Sequence, residues 1–171
     1  MSAHFHSFPR GAGATVTECP PAARFSLRLK ADHRAAASTA LGLDLPVRIG
    51  AVVTAGRRAL MLGPDEWQID GPPGDAPALP GGIPHALVDI SARDRTYLLE
   101  GPRAADLLTL GIARDLSGLH PGQGCRTVFD GVQVVLLREG AERFTLSVWR
   151  SFAPHVAHLL ATGLREFHAG L

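Results

Sequence analysis

Two histidines three residues apart, His155 and His158, are the first pair whose spacing could do chemistry. On a helix that interval brings both imidazoles toward one metal ion. The surrounding pattern argues otherwise. His158 falls nearly opposite the apolar stripe of its segment and His155 at its edge. No Cys, Asp or third His follows at liganding spacing, and Glu166 is too far along to complete a site. Both are expected to be solvated, and no metal ligand is assigned. His4 and His6 lie in a weakly patterned start, whereas His33, His85 and His120 occur singly near element ends, where turn or capping duties suffice.

Nucleotide chemistry needs a glycine loop that follows a strand and opens a helix. Gly11-Ala12-Gly13 does neither, Gly122-Gln123-Gly124 sits where a turn explains it, and neither GxGxxG nor GxxxxGK[ST] occurs. No cofactor-binding residue is therefore assigned. The serines lack a G-x-S-x-G elbow. Asp65 and Glu66 are adjacent, so an ordinary turn there cannot aim both into one cleft. Asp89 is the most acid-like candidate because it interrupts an apolar strand; capping an amide or pairing with an arginine is its expected duty. No catalytic residue is assigned. Trp67 and Trp149 are expected in core or interface packing rather than as a ligand cradle.

Composition narrows the function classes. Seventeen Lys and Arg against 16 Asp and Glu leave a formal charge of +1, with Lys30 the single lysine. The Arg57-Arg58 pair is too short to form the basic face that nucleic acid requires. Hydrophobic residues make up 46% of 171 and charged ones 19%, yet no apolar run approaches the ~20 residues of a bilayer span. The opening MSAHFHSFPRGAGATVTECP has neither the basic flank nor the apolar stretch of a secretory signal, so residues 1–22 are expected to be a loosely ordered arm and the chain cytoplasmic. Cys19 and Cys125, without a CxxC, are expected to be buried or half-buried thiols.

The elements follow from periodicity. Phe25, Leu27 and Leu29 alternate as a strand; Asp32 is placed to cap a short helix through Ala35–Ala37 and Leu41, which Gly42 stops. Residues 59–62 and 67–69 are strands about a Gly63-Pro64-Asp65-Glu66 turn. Residues 71–82, GPPGDAPALPGG, hold four prolines and four glycines, a loop expected to join two halves, 23–70 and 83–171. In the second half, Ala86–Ile90 leads into a strand at Thr96–Leu99, and Gly101-Pro102 opens a helix that Gly111 ends. Asp130-Gly131 is a hairpin signal between 126–129 and 132–138, and Phe144, Leu146 and Val148 alternate in a last strand. Phe152, Val156, Leu159, Leu160, Leu164 and Phe167 give the closing helix its apolar side, with Ser151 the expected N-cap. Each half thus reads as strand, helix, then paired strands: an α+β fold of two βαββ-type halves with mixed or antiparallel sheet.

The blocks LMLGPDEWQI, VDISARDRTYLLEGPRAADLLTLGIARDL, GQGCRTVFDGVQVVLL and FTLSVWRSFAPHVAHLLATGLREF, in that order, resemble those of the sarcosine oxidase gamma-subunit family over roughly residues 23 to 168. That family is similar to the folate-binding domain of the glycine-cleavage aminomethyltransferase. The resemblance implies a non-catalytic, cofactor-free gamma chain in a heterotetramer with alpha, beta and delta subunits, packed chiefly on the large alpha subunit. It implies FAD, NAD, covalently attached FMN and tetrahydrofolate in the large partners and a metal in delta. The complex would oxidatively demethylate sarcosine, passing the one-carbon unit to tetrahydrofolate or releasing formaldehyde, with peroxide formed. The alternatives are a stand-alone folate-binding or one-carbon transfer module, with Asp89 its first candidate acid, and a binding protein outside that pathway. Trp67, Trp149, Arg126 and Arg150 are the side chains from which an interface is expected to draw.

Overall fold

A computed structural model describes residues 6–170, so His4 lies outside the described residues. The chain divides into two compact units. One comprises residues 1–20, 93–121 and 126–171; the other comprises 21–92 and 122–125.

The second of these units begins with β2 (Ala23–Leu29), a 3-10 turn at Ala31–His33 and α1 (Arg34–Leu41), followed by β3 (Val52–Ala55), β4 (Arg57–Gly63), β5 (Glu66–Gly71) and β6 (His85–Asp89). Its sheet runs β3-β4-β5-β2-β6, and its registered pairs are all antiparallel. Phe25, Leu27 and Leu29 alternate inward as their spacing requires and meet Trp67, Ile69, Ala37 and Leu41 in one buried cluster. Gly42 stops α1 in the left-handed conformation (φ 63°), a position where any Cβ would be strained. The N-cap of α1 is His33, not Asp32, because a 3-10 turn precedes the helix and places Asp32 inside it; no side chain caps that end.

The other unit is built from β1 (Thr15–Glu18), β7 (Asp94–Glu100), α2 (Ala104–Thr109), β8 (Gln123–Phe129), β9 (Val132–Gly140), β10 (Arg143–Trp149) and α3 (Ala153–His168). Its sheet order is β1-β7-β10-β9-β8. Asp130 (φ 46°) and Gly131 (φ 79°) both lie at positive φ, the two-residue turn whose twist matches an antiparallel hairpin. Tyr97, Leu99, Phe129, Leu136, Phe144 and Leu146 are fully buried in this unit, as are Leu107 and Leu108 of α2 and Val156, Leu160 and Leu164 of α3. Phe152, expected on the buried stripe, is instead the N-cap of α3 and 45% exposed. Ser151 precedes the cap and makes no capping bond.

Both sheets are antiparallel and the helices few, so the α+β class holds. The internal repeat is richer than strand, helix, two strands: β2-α1-β3-β4-β5 corresponds to β7-α2-β8-β9-β10, each a βαβββ order. The two differences from the expected layout share a cause. Thr15–Glu18, expected in a loose arm, forms β1 on β7, with Val16 opposite Leu99. His85–Asp89, beyond the Gly/Pro loop, pairs with β2, with Leu87 opposite Leu27. Each segment that precedes a repeat thus supplies the edge strand of the other repeat's sheet. Pairing at such sequence distance leaves no local signature. The chain changes units near residues 92–93, not within 71–82. Segment 71–82 is irregular as its prolines demand, and it is stapled down by Arg57, whose Nε and Nη2 donate to Asp75 at 2.6 and 2.7 Å.

Candidate functional site

In the unit holding α3, His6, Glu18, Arg95, Arg150, Ser151, Ala153 and Pro154 line a cavity of about 390 Å³. That volume lies at the small end of ligand-binding clefts. β1 carries Glu18 inward because its residues alternate, and the Glu18 side chain is only 2% exposed. Glu18 is not an idle carboxylate. Its Oε2 accepts the His6 backbone N–H at 2.8 Å, and Arg95 approaches Oε1 at 3.4 Å. Tyr97, two residues on from Arg95, donates its hydroxyl to the Ala153 carbonyl at 3.1 Å. Burial, then the Glu18 charge, push the Tyr97 phenol well above its ordinary value against the opposing pull of Arg95, so the hydroxyl stays a donor. Glu18 thus rests against the His6 amide and Arg95, and burial keeps the phenol a proton donor, an arrangement that fits a polar structural pocket.

The most charged constellation lies in the other unit. Asp70, on β5, receives Arg24 Nε on Oδ1 at 2.7 Å and Arg58 Nη2 on Oδ2 at 2.8 Å, and Gln68 Nε2 adds a bond at 3.1 Å. Register places these side chains together, since Asp70 stands opposite Arg24 on β2 and Arg58 on β4. Burial raises the Asp70 carboxyl, but the two guanidinium charges and their bonds outweigh it and hold it below the ordinary value. Every part of this cluster is engaged in holding three strands in register.

The residues singled out by spacing are dispersed. His155 Nε2 meets Asp130 Oδ2 at 2.8 Å on the surface, and His158 is exposed. Among the described residues no group of three or more His, Cys, Asp or Glu is placed to hold a metal. Asp89 is exposed, and Ser91 binds it through both its N–H (2.8 Å) and its hydroxyl (2.5 Å), an Asx turn that lowers the carboxyl below its ordinary value. Asp65 and Glu66 both pair with Arg28, at 3.2 and 2.9 Å. His85 Nδ1 lies 2.6 Å from the Ile83 carbonyl, a turn contact. Cys19 and Cys125 are half-buried and unbridged. Trp67 is core: 1% exposed, with its indole N–H donating to the Pro46 carbonyl at 2.9 Å. Trp149 is 44% exposed, and Arg126 and Arg150 are also on the surface. Spacing missed Glu18, Arg95 and Asp70. The alternation Ala14-Thr15-Val16-Thr17-Glu18, rich in β-branched residues, was the available signal for Glu18; nothing local marked the others.

The architecture is that of the aminomethyltransferase fold. Glycine cleavage system aminomethyltransferase T from Bartonella henselae superposes with a TM-score of 0.67 at 16% identity, over 92% of this chain and 53% of that one, a likeness of fold alone. Residues 29–163 match the model described as the sarcosine oxidase, gamma subunit family, and the chain belongs to that family. It is 31% identical over 147 residues to sarcosine oxidase subunit gamma of Corynebacterium sp. (strain U-96), covering 79% of this chain and 70% of that protein. The Arthrobacter sp. subunit gamma is 32% identical over 145 residues, covering 78% and 70%. A chain of the heterotetrameric sarcosine oxidase from Corynebacterium sp. U-96, in complex with pyrrole 2-carboxylate, matches with a TM-score of 0.84 at 29% identity, over 92% of this chain and 88% of that one.

Proposed function

We propose that this chain is the non-catalytic gamma subunit of a heterotetrameric sarcosine oxidase and serves the assembly of that complex. The observation that carries the reading is the near full-length likeness, in both sequence and fold, to a chain of such a heterotetramer. Its partners are the alpha, beta and delta subunits, chiefly alpha. FAD, FMN, NAD and tetrahydrofolate belong to the large partners and a metal to delta. The complex oxidises sarcosine to glycine, transfers the one-carbon unit to tetrahydrofolate or releases formaldehyde, and reduces oxygen to peroxide. Cytoplasmic residence belongs to the same reading, supported by two unbridged thiols. Among the described residues no helix is long and apolar enough to cross a membrane.

The engaged carboxylates support a structural role, because fold does not confer activity without a site. A folate or one-carbon module would need Asp89 as an oriented acid, yet Ser91 holds that carboxylate in a turn. Co-expression with the cognate large subunits, followed by size-exclusion chromatography and absorption spectra, tests the reading. The expected result is a single complex containing this chain, with flavin absorbance in the complex and none in the purified chain. Large subunits that assemble and turn over sarcosine normally while this chain elutes alone would overturn it.

A further inference from the structure

The cavity around Glu18 carries charge that its own bonds leave unanswered. Its walls hold one carboxylate, Glu18, and two guanidiniums, Arg95 and Arg150. Glu18 lies on the buried side and Arg95 approaches it at 3.4 Å, so those two charges offset one another. Arg150 and Ser151 stand on the solvent side of the same cavity. Among the described residues the Arg150 guanidinium has no ion-pair partner and the Ser151 hydroxyl no hydrogen-bond partner. Main-chain bonds fix the turn that carries both: Arg150 N–H donates to the Arg93 carbonyl at 2.8 Å, and Phe152 N–H to the Trp149 carbonyl at 2.9 Å. That turn opens α3, whose Ala153 and Pro154 complete the wall and whose start no side chain caps. The 16-residue helix adds partial positive charge at the same place.

We propose that this cavity binds a small free monocarboxylate. Charge selects the valence. Two guanidiniums against one carboxylate leave a single net positive charge, which one negative charge neutralises. A dianion would exceed that charge and face the Glu18 carboxylate as well. Shape selects the group, because a planar guanidinium donates two parallel bonds to the two oxygens of a carboxylate. Arg150 supplies that fork, and the Ser151 hydroxyl is available as a further donor. A volume of about 390 Å³ selects a short acid, whose carbon skeleton Ala153 and Pro154 can cover. Every wall residue comes from one compact unit of this chain. The site therefore needs no other subunit, and it stands or falls independently of the gamma-subunit reading.

The test is a titration of the full chain with propionate, exchanged for chloride at constant ionic strength and followed by proton–nitrogen correlation spectra. The expected result is a saturable shift of the Ser151 and Ala153 amides and of the Arg150 side-chain N–H, with Kd on the order of 1 mM. Sulfate should bind the same site at least about tenfold more weakly. Arg150→Ala should weaken propionate at least about tenfold, and Ser151→Ala about threefold. The control Arg48→Ala, on an exposed loop of the other unit, should bind as wild type does. Where Arg150→Ala does not fold, Arg150→Lys decides: it keeps the charge without the fork, so about threefold loss supports the proposal and unchanged binding overturns it. Shifts that fail to saturate, or that spread equally over arginines elsewhere, overturn the site. Tighter binding of sulfate than of propionate overturns the monocarboxylate. A cavity that a partner's acidic side chain fills, with no propionate binding by the chain itself, overturns the free ligand.

Discussion

Asp70 shows how a buried acid becomes structural rather than reactive. Its two oxygens are taken by Arg24 and Arg58, and its side chain is only 10% exposed. Removing one member of such a cluster strands buried charge, so Asp70→Asn should cost about 3 kcal/mol or more in denaturant titrations at neutral pH. The acid limb has a definite sign. The folded Asp70 carboxyl lies below its ordinary 3.8, so its contribution is fully present above that value. It disappears as pH falls through the lower folded value. Stability of the wild type should therefore fall more steeply below pH 4 than that of Asp70→Asn, and parallel curves would contradict this account. Nothing in the sequence paired Asp70 with Arg24, 46 residues away. By contrast, the bland readings of Trp67 as core and His155 as a solvated helix residue followed from periodicity, which is local.

At the scale of elements, the turn between β7 and α2 carries the sharpest constraint. Gly101 has φ 114°, and a Cβ built there would stand 2.5 Å from the Gly13 carbonyl oxygen, a backbone atom with no rotamer to yield. Gly101→Ala should destabilise by about 2 kcal/mol or more, read as a lowered Tm and denaturation midpoint. An unchanged Tm would show that the Gly11–Ala14 segment gives way without cost. The helix after the Gly-Pro step was legible, although it starts at Ala104 with Pro102 in the turn before its N-cap Arg103; β2, the end of α1 at Gly42, the Asp130-Gly131 hairpin and the stripe of α3 were legible too, because side-chain period and turn chemistry dictate each. What could not be read was which neighbours make the edges: β1 lay in the expected loose arm, and the apolar strand that Asp89 interrupts was legible as β6 but not its pairing with β2, since both are defined by register against distant strands. The expected caps at Asp32 and Ser151 failed for a related reason: the preceding turns moved each helix start past the side chain that would have capped it.

For the whole molecule, the reading as an assembly subunit has a thermodynamic signature. Binding that occurs only in the folded state stabilises by mass action, about 2.7 kcal/mol when the partner stands at a hundredfold excess over Kd. For a chain of this size that corresponds to a Tm raised by roughly 5–10 °C in the complex relative to the isolated chain. Scanning calorimetry of the two at matched concentration measures it, and coincident transitions would speak against an obligate partner. Fold class and family were both legible, since the βα order recurs and the motif blocks run in sequence. The pocket around Glu18 was not, because its walls come from residues 6, 18, 95, 150, 151, 153 and 154 and meet only on folding.

The reciprocal exchange of β1 and β6 also governs what happens when the polypeptide is cut. A chain severed within residues 72–82 yields an amino-terminal piece that holds the edge strand of the β7 sheet but lacks its own β6, and a carboxy-terminal piece with the converse defect. Each piece would present the unsatisfied ladder of an incomplete sheet, prone to aggregation when expressed alone. Together they carry complementary missing strands, so the fragments should rescue one another on co-expression. The swap would thus turn a tandem duplication into a single indivisible folding partner of itself.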